Sequence, residues 1–99
     1  MPMTMVVTRN VSNRMRGFLA SSMLELTAGV YSAPRLSASA RDRIWGVLEK
    51  WWDYESDASV IMVWADQKMP GGQSVLTLGI PPVELLEMDG LVVARRDSL

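Results

Sequence analysis

The chain of 99 residues contains no cysteine and no histidine. Without cysteine it can form no disulfide, no thiolate nucleophile and no sulfur-ligated zinc or iron–sulfur site. Without histidine it lacks the usual base at neutral pH and the commonest metal ligand. Any chemistry would therefore depend on carboxylates, hydroxyls or a hard cation.

Long hydrophobic runs are absent as well. No apolar stretch approaches the roughly 20 residues that cross a bilayer, and the N-terminal residues do not form the pattern of a secretory signal. We therefore expect a cytoplasmic protein with no membrane partner. A hydrophobic content of 48% argues against disorder, and the length predicts one domain over residues 1–99 with a modest core.

The net charge of −1 hides an uneven distribution of charge along the chain. Residues 1–43 carry six arginines and two acids, a net charge of +4, whereas residues 44–99 carry four cations and nine acids, a net charge of −5. Every cation of the first part is arginine, whose planar fork grips phosphate oxygens in pairs. Such asymmetry indicates a face that binds a polyanion.

The first part of the chain predicts a buried strand over Met5–Thr8 followed by an amphipathic helix. Ser12 or Asn13 can cap this helix, and Gly29 is predicted to end it in a left-handed turn. The apolar residues that define its buried face are Met15, Phe18, Leu19, Met23 and Leu26.

Arg14 and Arg16 then fall in the first helical turn, where the positive end of the helix dipole disfavours cations. Free backbone N–H groups together with two guanidinium groups would suit a phosphate. The alternative is that both arginines are simply solvated or paired with acids elsewhere in the fold.

Later segments predict a second helix that Ser37 caps and that ends near Trp52, then a strand over Ala58–Ala65 that is covered on both faces. A turn leads to an antiparallel strand, a helical turn and a final strand. The predicted bounds of these last three elements are Gln73–Ile80, Glu84–Met88 and Leu91–Arg95. The fold class is therefore α+β, a sandwich with two helices on one face of a mainly antiparallel sheet, and a ferredoxin-like architecture fits this order.

The four tryptophans are predicted to pack in the core, since Trp51 shares the apolar face of the second helix and Trp64 lies in a strand. An exposed Trp52 would instead suit a protein partner. The other face of a sheet with two helices on one side also needs a cover, and homodimerisation is the simplest way to supply it.

The order VVTxNVxxRxRGxLAxxxLExxAGVY resembles the small CRISPR-associated adaptation protein Cas-two in its type I-E form. The similarity continues through Ile44 and Trp45, the segment around Trp64, and Asp89-Gly90-Leu91. The residues that carry the first motif are Val6, Val7, Thr8, Asn10, Val11, Arg14, Arg16, Gly17, Leu19, Ala20, Leu24, Glu25, Ala28, Gly29, Val30 and Tyr31.

This resemblance implies a non-catalytic adaptor of spacer acquisition in antiviral defence. Such a protein forms a homodimer, bridges two dimers of the integrase subunit Cas-one, and holds the prespacer duplex by its backbone without reading sequence. We expect the residues that bind double-stranded DNA to be Arg9, Asn10, Arg14, Arg16, Arg41 and Arg43.

The resemblance also implies that residues 90–99 form a C-terminal strand and tail at a protein interface. The interface residues are then Leu91, Val92, Val93, Ala94 and Arg95. The alternative is an ordinary edge strand, which Arg95 and Arg96 would protect from aggregation.

Metal-dependent nuclease activity on RNA or double-stranded DNA is the alternative function of the family, with an acid at the end of the first strand holding Mg²⁺. Arg9 occupies that position here, and a permanent cation would repel the metal. Asp66 is the nearest substitute in the sequence, although a lone carboxylate is more often a turn residue. We therefore expect no catalytic residue, no metal and no cofactor.

Two further features bear on the strength of DNA binding and on a third class of function. Ser39 and the segment Ile80-Pro81-Pro82 replace basic residues of relatives, which predicts weaker DNA binding by the isolated dimer. A ferredoxin-like regulatory domain that binds a small molecule is a third class of function, but no glycine-rich loop supports it.

Overall fold

The structure, a computed structural model, describes residues 1–80 with their side chains and residues 83–88 and 91–96 as strands. Two α-helices and seven strands make up this described part of the chain. In chain order the elements are β1 (Thr4–Arg9), α1 (Asn13–Ser22), β2 (Leu24–Thr27), β3 (Val30–Ala33), α2 (Ala38–Trp51), a 3-10 turn (Trp52–Tyr54), β4 (Ser59–Ala65), a second 3-10 turn (Pro70–Gly72), β5 (Gln73–Leu78), β6 (Val83–Met88) and β7 (Leu91–Arg96).

The central strand β1 organises a five-stranded antiparallel sheet of order β2-β3-β1-β4-β5. Val6 of β1 pairs with Tyr31 on one side and with Met62 on the other. The element order β1-α1-β2-β3-α2-β4, with β1 between β3 and β4, is the ferredoxin-like arrangement. The predicted fold class is confirmed, and β5 extends the sheet at the β4 edge.

Both helices cover the same face of this sheet. Strand side chains alternate between the two faces, so Thr4 and Val6 are buried beneath the helices whereas Val7 points to the opposite face and is 42% exposed. The buried apolar residues of the core are Val6, Met15, Leu19, Met23, Tyr31, Ala33, Ile44, Trp45, Leu48, Val60 and Met62.

The opposite face of the sheet is less covered than the sequence predicts for β4. Val60 and Met62 are buried on the helix side, but Ile61 and Val63 on the other side are only partly buried. The described part of a single chain therefore does not cover both faces of the sheet. The face opposite the helices carries apolar side chains and is open.

The first helix ends at Ser22, so the predicted continuation to Gly29 is wrong. Met23, the C-cap, is already extended with φ of −139°, and the hydroxyls of Ser21 and Ser22 donate to the carbonyl oxygen of Phe18 at 2.7 and 2.9 Å, bonds that slightly destabilise a helix.

The residues that follow α1 form strands instead. Leu26, assigned by its spacing to the helix face, lies on the edge strand β2 and is 56% exposed. Gly29 has the predicted left-handed conformation, with φ of 81°, but it belongs to the β2–β3 turn. Its carbonyl oxygen accepts hydrogen bonds from the N–H and hydroxyl of Thr8, at 2.7 and 3.1 Å.

The predicted helical turn over Glu84–Met88 is also wrong, because this segment lies in β6 and pairs antiparallel with β7. Glu, Leu and Met favour helices locally, but the non-local pairing with β7 decides the conformation. The final strand is confirmed, and it extends from Leu91 to Arg96. These two strands form a sheet of their own.

The remaining predicted elements agree with the structure to within two residues. Ser37 caps α2 by accepting a hydrogen bond from the Ala40 N–H at 3.1 Å. The predicted strand over Gln73–Ile80 ends two residues early, before Gly79 with its φ of 78°. The sequence also predicts that Pro81 and Pro82 stop this strand and that Asp89-Gly90 reverses the chain, but these four residues lie outside the described ones. Among the described helices, none is long and apolar enough to cross a membrane.

Replacing Gly29 by alanine is expected to lower the free energy of unfolding by about 1–2 kcal/mol. A Cβ atom at this left-handed position would lie 2.9 Å from the Thr8 carbonyl oxygen. The matched control is Gly46→Ala in α2, where an added Cβ meets nothing within 4 Å and helix propensity predicts a gain of up to about 1 kcal/mol. Urea unfolding measures both changes, and a stabilised Gly29→Ala protein would contradict the close approach of this turn to β1.

Candidate functional site

The start of α1 follows the end of β1 directly, and Ser12 serves as its N-cap. The Ser12 hydroxyl accepts a hydrogen bond from the Met15 N–H at 3.3 Å, which confirms one of the two predicted caps. Arg14 and Arg16 therefore occupy the first turn, as predicted. No ion pair involves either arginine in the part of the chain that the structure describes.

An acid from a distant segment compensates the positive end of the α1 dipole. The Ser12 N–H donates to the Glu55 carboxylate at 2.7 Å, a contact between residues 43 apart in sequence. The first turn of α1 itself contains no acid. Sequence analysis missed this contact because Glu55 lies in the loop before β4, and no local pattern connects that loop to α1.

The side chain of Arg14 extends from the first turn of α1 and lies over the indole ring of Trp51. Its guanidinium carbon is 4.0 Å from the centre of the Trp51 ring, a cation–π contact. Phe18 packs against the same indole edge to face, with ring centres 5.4 Å apart and planes at 75°. Trp51, predicted only as a core residue, is half-buried and also contacts a candidate binding residue.

Arg16 lies near the phenol of Tyr31, a fully buried residue of β3. Burial raises the pKa of Tyr31 above its usual value of 10.0, the Glu25 carboxylate raises it further, and the Arg16 guanidinium lowers it. The phenolic oxygen has no hydrogen-bond partner among the described residues. Arg16 thus lies between the interior of the fold and the surface cleft at the start of α1.

This cleft has a volume of about 280 Å³ and joins three elements that the sequence separates. Its lining residues are Thr8, Asn10, Val11, Arg16, Ala28 and Gly29. Asn10 takes a left-handed conformation with φ of 59°, and its amide donates to the Asp57 carbonyl at 2.9 Å. A small cleft with one guanidinium at a helix start suits a phosphate group.

The predicted DNA-binding residues do not form one cluster. Arg9, Asn10, Arg14 and Arg16 lie at the end of the sheet where β1 finishes and β4 begins, since Arg9 pairs with Ser59. Strand alternation places Arg9 on the open face of the sheet, opposite the two helices.

Arg41 and Arg43 lie in the first half of α2, near the other end of the sheet. The Arg41 guanidinium carbon is 4.1 Å from the centre of the Trp64 ring, its side chain is only 14% exposed, and its Nε has no hydrogen-bond partner among the described residues. Arg43 is exposed beside a groove between the two helices. The six residues therefore present two basic regions.

Asp66 follows β4, at the end of the sheet opposite Arg9, because Trp64 pairs with Thr4. Its two carboxylate oxygens accept from the Lys68 N–H at 3.1 Å and from the Ser74 hydroxyl at 2.9 Å, as expected of a turn residue. Within the described part of the chain, no group of three or more acidic residues is placed to hold a metal ion.

The predicted interface residues Leu91, Val92, Val93, Ala94 and Arg95 all lie in β7, which pairs with β6. The backbone thus places them on one strand. Their role at a protein interface stays a prediction.

The free energy of unfolding is expected to fall as the pH rises above about 10. Because the folded state raises the Tyr31 pKa, the stability that this phenol contributes is complete below its unfolded pKa and is lost as the pH rises through the folded value. Tyr31→Phe should flatten this fall, whereas Tyr54→Phe, at a side chain that is 78% exposed, is the control. Urea unfolding from about pH 8 to 11 measures the slope, and an unchanged slope in Tyr31→Phe would contradict the assignment.

The motif that carries the resemblance, from Val6 to Tyr31, lies in β1, α1, β2 and β3. The model of the family described as CRISPR-associated protein (Cas_Cas2CT1978) matches residues 3–93. This match covers the ferredoxin-like sheet, both helices and part of β7. The chain therefore belongs to the CRISPR-associated Cas-two family, whose role is in spacer acquisition.

Proposed function

We propose that the chain is a non-catalytic adaptor of spacer acquisition, of the type I-E form, that binds prespacer duplex DNA and bridges subunits of the Cas-one integrase. One observation carries the DNA-binding part: Arg14 and Arg16 are both exposed in the first turn of α1, Arg16 lines a small cleft, and neither forms an ion pair in the described part of the chain. Arginines that lack acidic partners retain their donors for phosphate.

Contacts of this kind bind DNA without reading its sequence. Phosphate contacts fix the position of a duplex, whereas base edges in the grooves carry the sequence information. The candidate site offers exposed guanidinium groups, and its cleft is small. The proposed ligand is therefore the sugar–phosphate backbone of double-stranded DNA.

The proposed biological unit is a homodimer formed through the open face of the sheet. Val7 is 42% exposed on this face, and Ile61, Val63 and Val75 are partly exposed beside it. Apolar side chains on one face of a sheet gain stability when a second surface removes them from water. A second copy of the same sheet is the partner that the resemblance to the family favours.

The β6–β7 hairpin supports a role for the C-terminal segment in assembly. A two-stranded sheet on its own is marginally stable in water, and β6 and β7 pair only with each other among the described strands. Strand β5 has a free edge in the larger sheet. Pairing of a C-terminal strand with a neighbouring subunit would satisfy free backbone groups on both sides.

An adaptor is preferred to a metal-dependent nuclease because of the charge at the end of β1. Arg9 occupies the position where the family's nuclease mechanism needs an acid. Asp66 is at the opposite end of the sheet, and its oxygens already accept two hydrogen bonds. We therefore propose that no divalent cation and no cofactor takes part in the function.

The double variant Arg14→Ala with Arg16→Ala is expected to weaken duplex binding and to flatten its salt dependence. Loss of two phosphate contacts should reduce the slope of log affinity against log salt concentration by about 2, because fewer counterions are released. Fluorescence anisotropy with labelled duplexes at several salt concentrations measures both quantities. Arg35→Ala, an exposed arginine outside the proposed set, is the matched control. An unchanged slope in the double variant would remove these arginines from the site.

Truncation after Gly90 is expected to abolish association with the Cas-one integrase subunit. The truncated chain should remain at least partly folded, because β7 pairs with β6 and is not part of the five-stranded sheet. Pull-down with the integrase, with and without duplex DNA, tests the association, and circular dichroism tests the fold. If the truncated chain still co-purified with the integrase, the C-terminal strand would not be the bridge.

A further inference from the structure

The contact between Arg14 and Trp51 leaves the hydrogen-bond donors of the arginine accessible. The guanidinium carbon lies 4.0 Å from the centre of the indole ring, yet the arginine is exposed to solvent. All five N–H donors of a guanidinium lie in its plane and point outward from its edge. Because Arg14 is exposed in spite of this contact, the ring does not enclose the guanidinium, and donors remain accessible to a phosphate.

The indole that holds Arg14 is itself held in place. Trp51 is the last residue of α2, and Phe18 of α1 packs against its ring with the planes at 75°. The contact therefore spans both helices, and its geometry is set by the way they pack on the sheet. A ring that is fixed from two helices presents a flat, rigid surface to the guanidinium.

Electrostatics favours the same place for the cation. The C-terminal end of a helix carries partial negative charge, and Trp51 lies in the last turn of α2. The face of the indole ring attracts the guanidinium through its electron density. This arrangement offsets the unfavourable position of Arg14 in the first turn of α1.

From this geometry we propose that Trp51 is a positioning residue for DNA binding, which orders the Arg14 guanidinium so that its edge meets a backbone phosphate. The inference rests on the proposed function, because it assumes that Arg14 contacts DNA. A free arginine loses much rotamer freedom when it grips a phosphate in two places, and the stack removes part of that freedom before DNA arrives. Trp51 touches no phosphate in this account and acts through Arg14.

The second contact between an arginine and a tryptophan differs in how far the arginine is exposed to solvent, which is the property that the proposal uses. Arg41 lies on the Trp64 ring, but its side chain is only 14% exposed and its Nε is buried. The contact with Trp64 therefore buries hydrogen-bond donors of Arg41 as well as one face of its guanidinium, as expected of a packing contact. The proposal is therefore confined to Trp51 and Arg14.

A double-mutant cycle on the full chain tests the proposal with a labelled duplex DNA of arbitrary sequence. Trp51→Leu is expected to weaken binding by about two- to fivefold, the equivalent of one cation–π contact. In the Arg14→Ala background the same change should have no further effect, because the arginine that it positions is absent. Trp51→Met repeats the cycle with an unbranched side chain in case the leucine variant does not fold.

Trp52→Leu is the matched control, because Trp52 is the next residue and packs near Gly79. It should lower stability without changing DNA affinity in either background, when affinity is corrected for the folded fraction. The inference would be overturned if Trp51→Leu weakened DNA binding equally in the wild-type and Arg14→Ala backgrounds. It would also be overturned if Arg14→Ala alone kept wild-type DNA affinity while the double variant Arg14→Ala with Arg16→Ala bound DNA more weakly. Wild-type affinity of the double arginine variant would instead overturn the proposed function itself.

Discussion

The antiparallel pairing of β1 between β3 and β4 is the constraint on which the other features depend. With β1 central, α1 runs back across one face of the sheet, and α2 crosses the same face before β4. The start of α1 therefore lies beside the end of α2 and the loop before β4. This topology brings Arg14, Trp51 and Glu55 to one end of the sheet.

The electrostatics of that end shows how a fold accommodates cations at the start of a helix. Two arginines in the first turn of α1 are opposed by the local helix dipole. Glu55 places a carboxylate on the Ser12 N–H, and Trp51 draws Arg14 toward the end of α2. The helix start is thus stabilised by groups from outside the helix, and the arginine edges remain at the surface. These edges carry the donors that the proposed function assigns to phosphate.

The same fold leaves two features that a second chain would complete. The sheet face opposite the helices is apolar and partly exposed, and the larger sheet has a free edge at β5. The β6–β7 hairpin forms its own two-stranded sheet, which is marginal in isolation. In the function proposed for this chain, these two features are where other chains would bind.

The sequence alone determined what depends on neighbouring residues. The caps Ser12 and Ser37, the strand β1 and the first turn containing Arg14 were all predicted, because capping, periodicity and turn formation act within a few residues. Similarity to the family identified the ferredoxin-like arrangement even where the pattern after Met23 was assigned to a helix. Only the tertiary structure decided that Leu24–Thr27 forms β2, that Val83–Met88 forms β6, that Glu55 accepts a hydrogen bond from the Ser12 N–H and that Trp51 contacts Arg14. These contacts join residues far apart in sequence, and their formation depends on how helices and strands pack, which no local preference specifies.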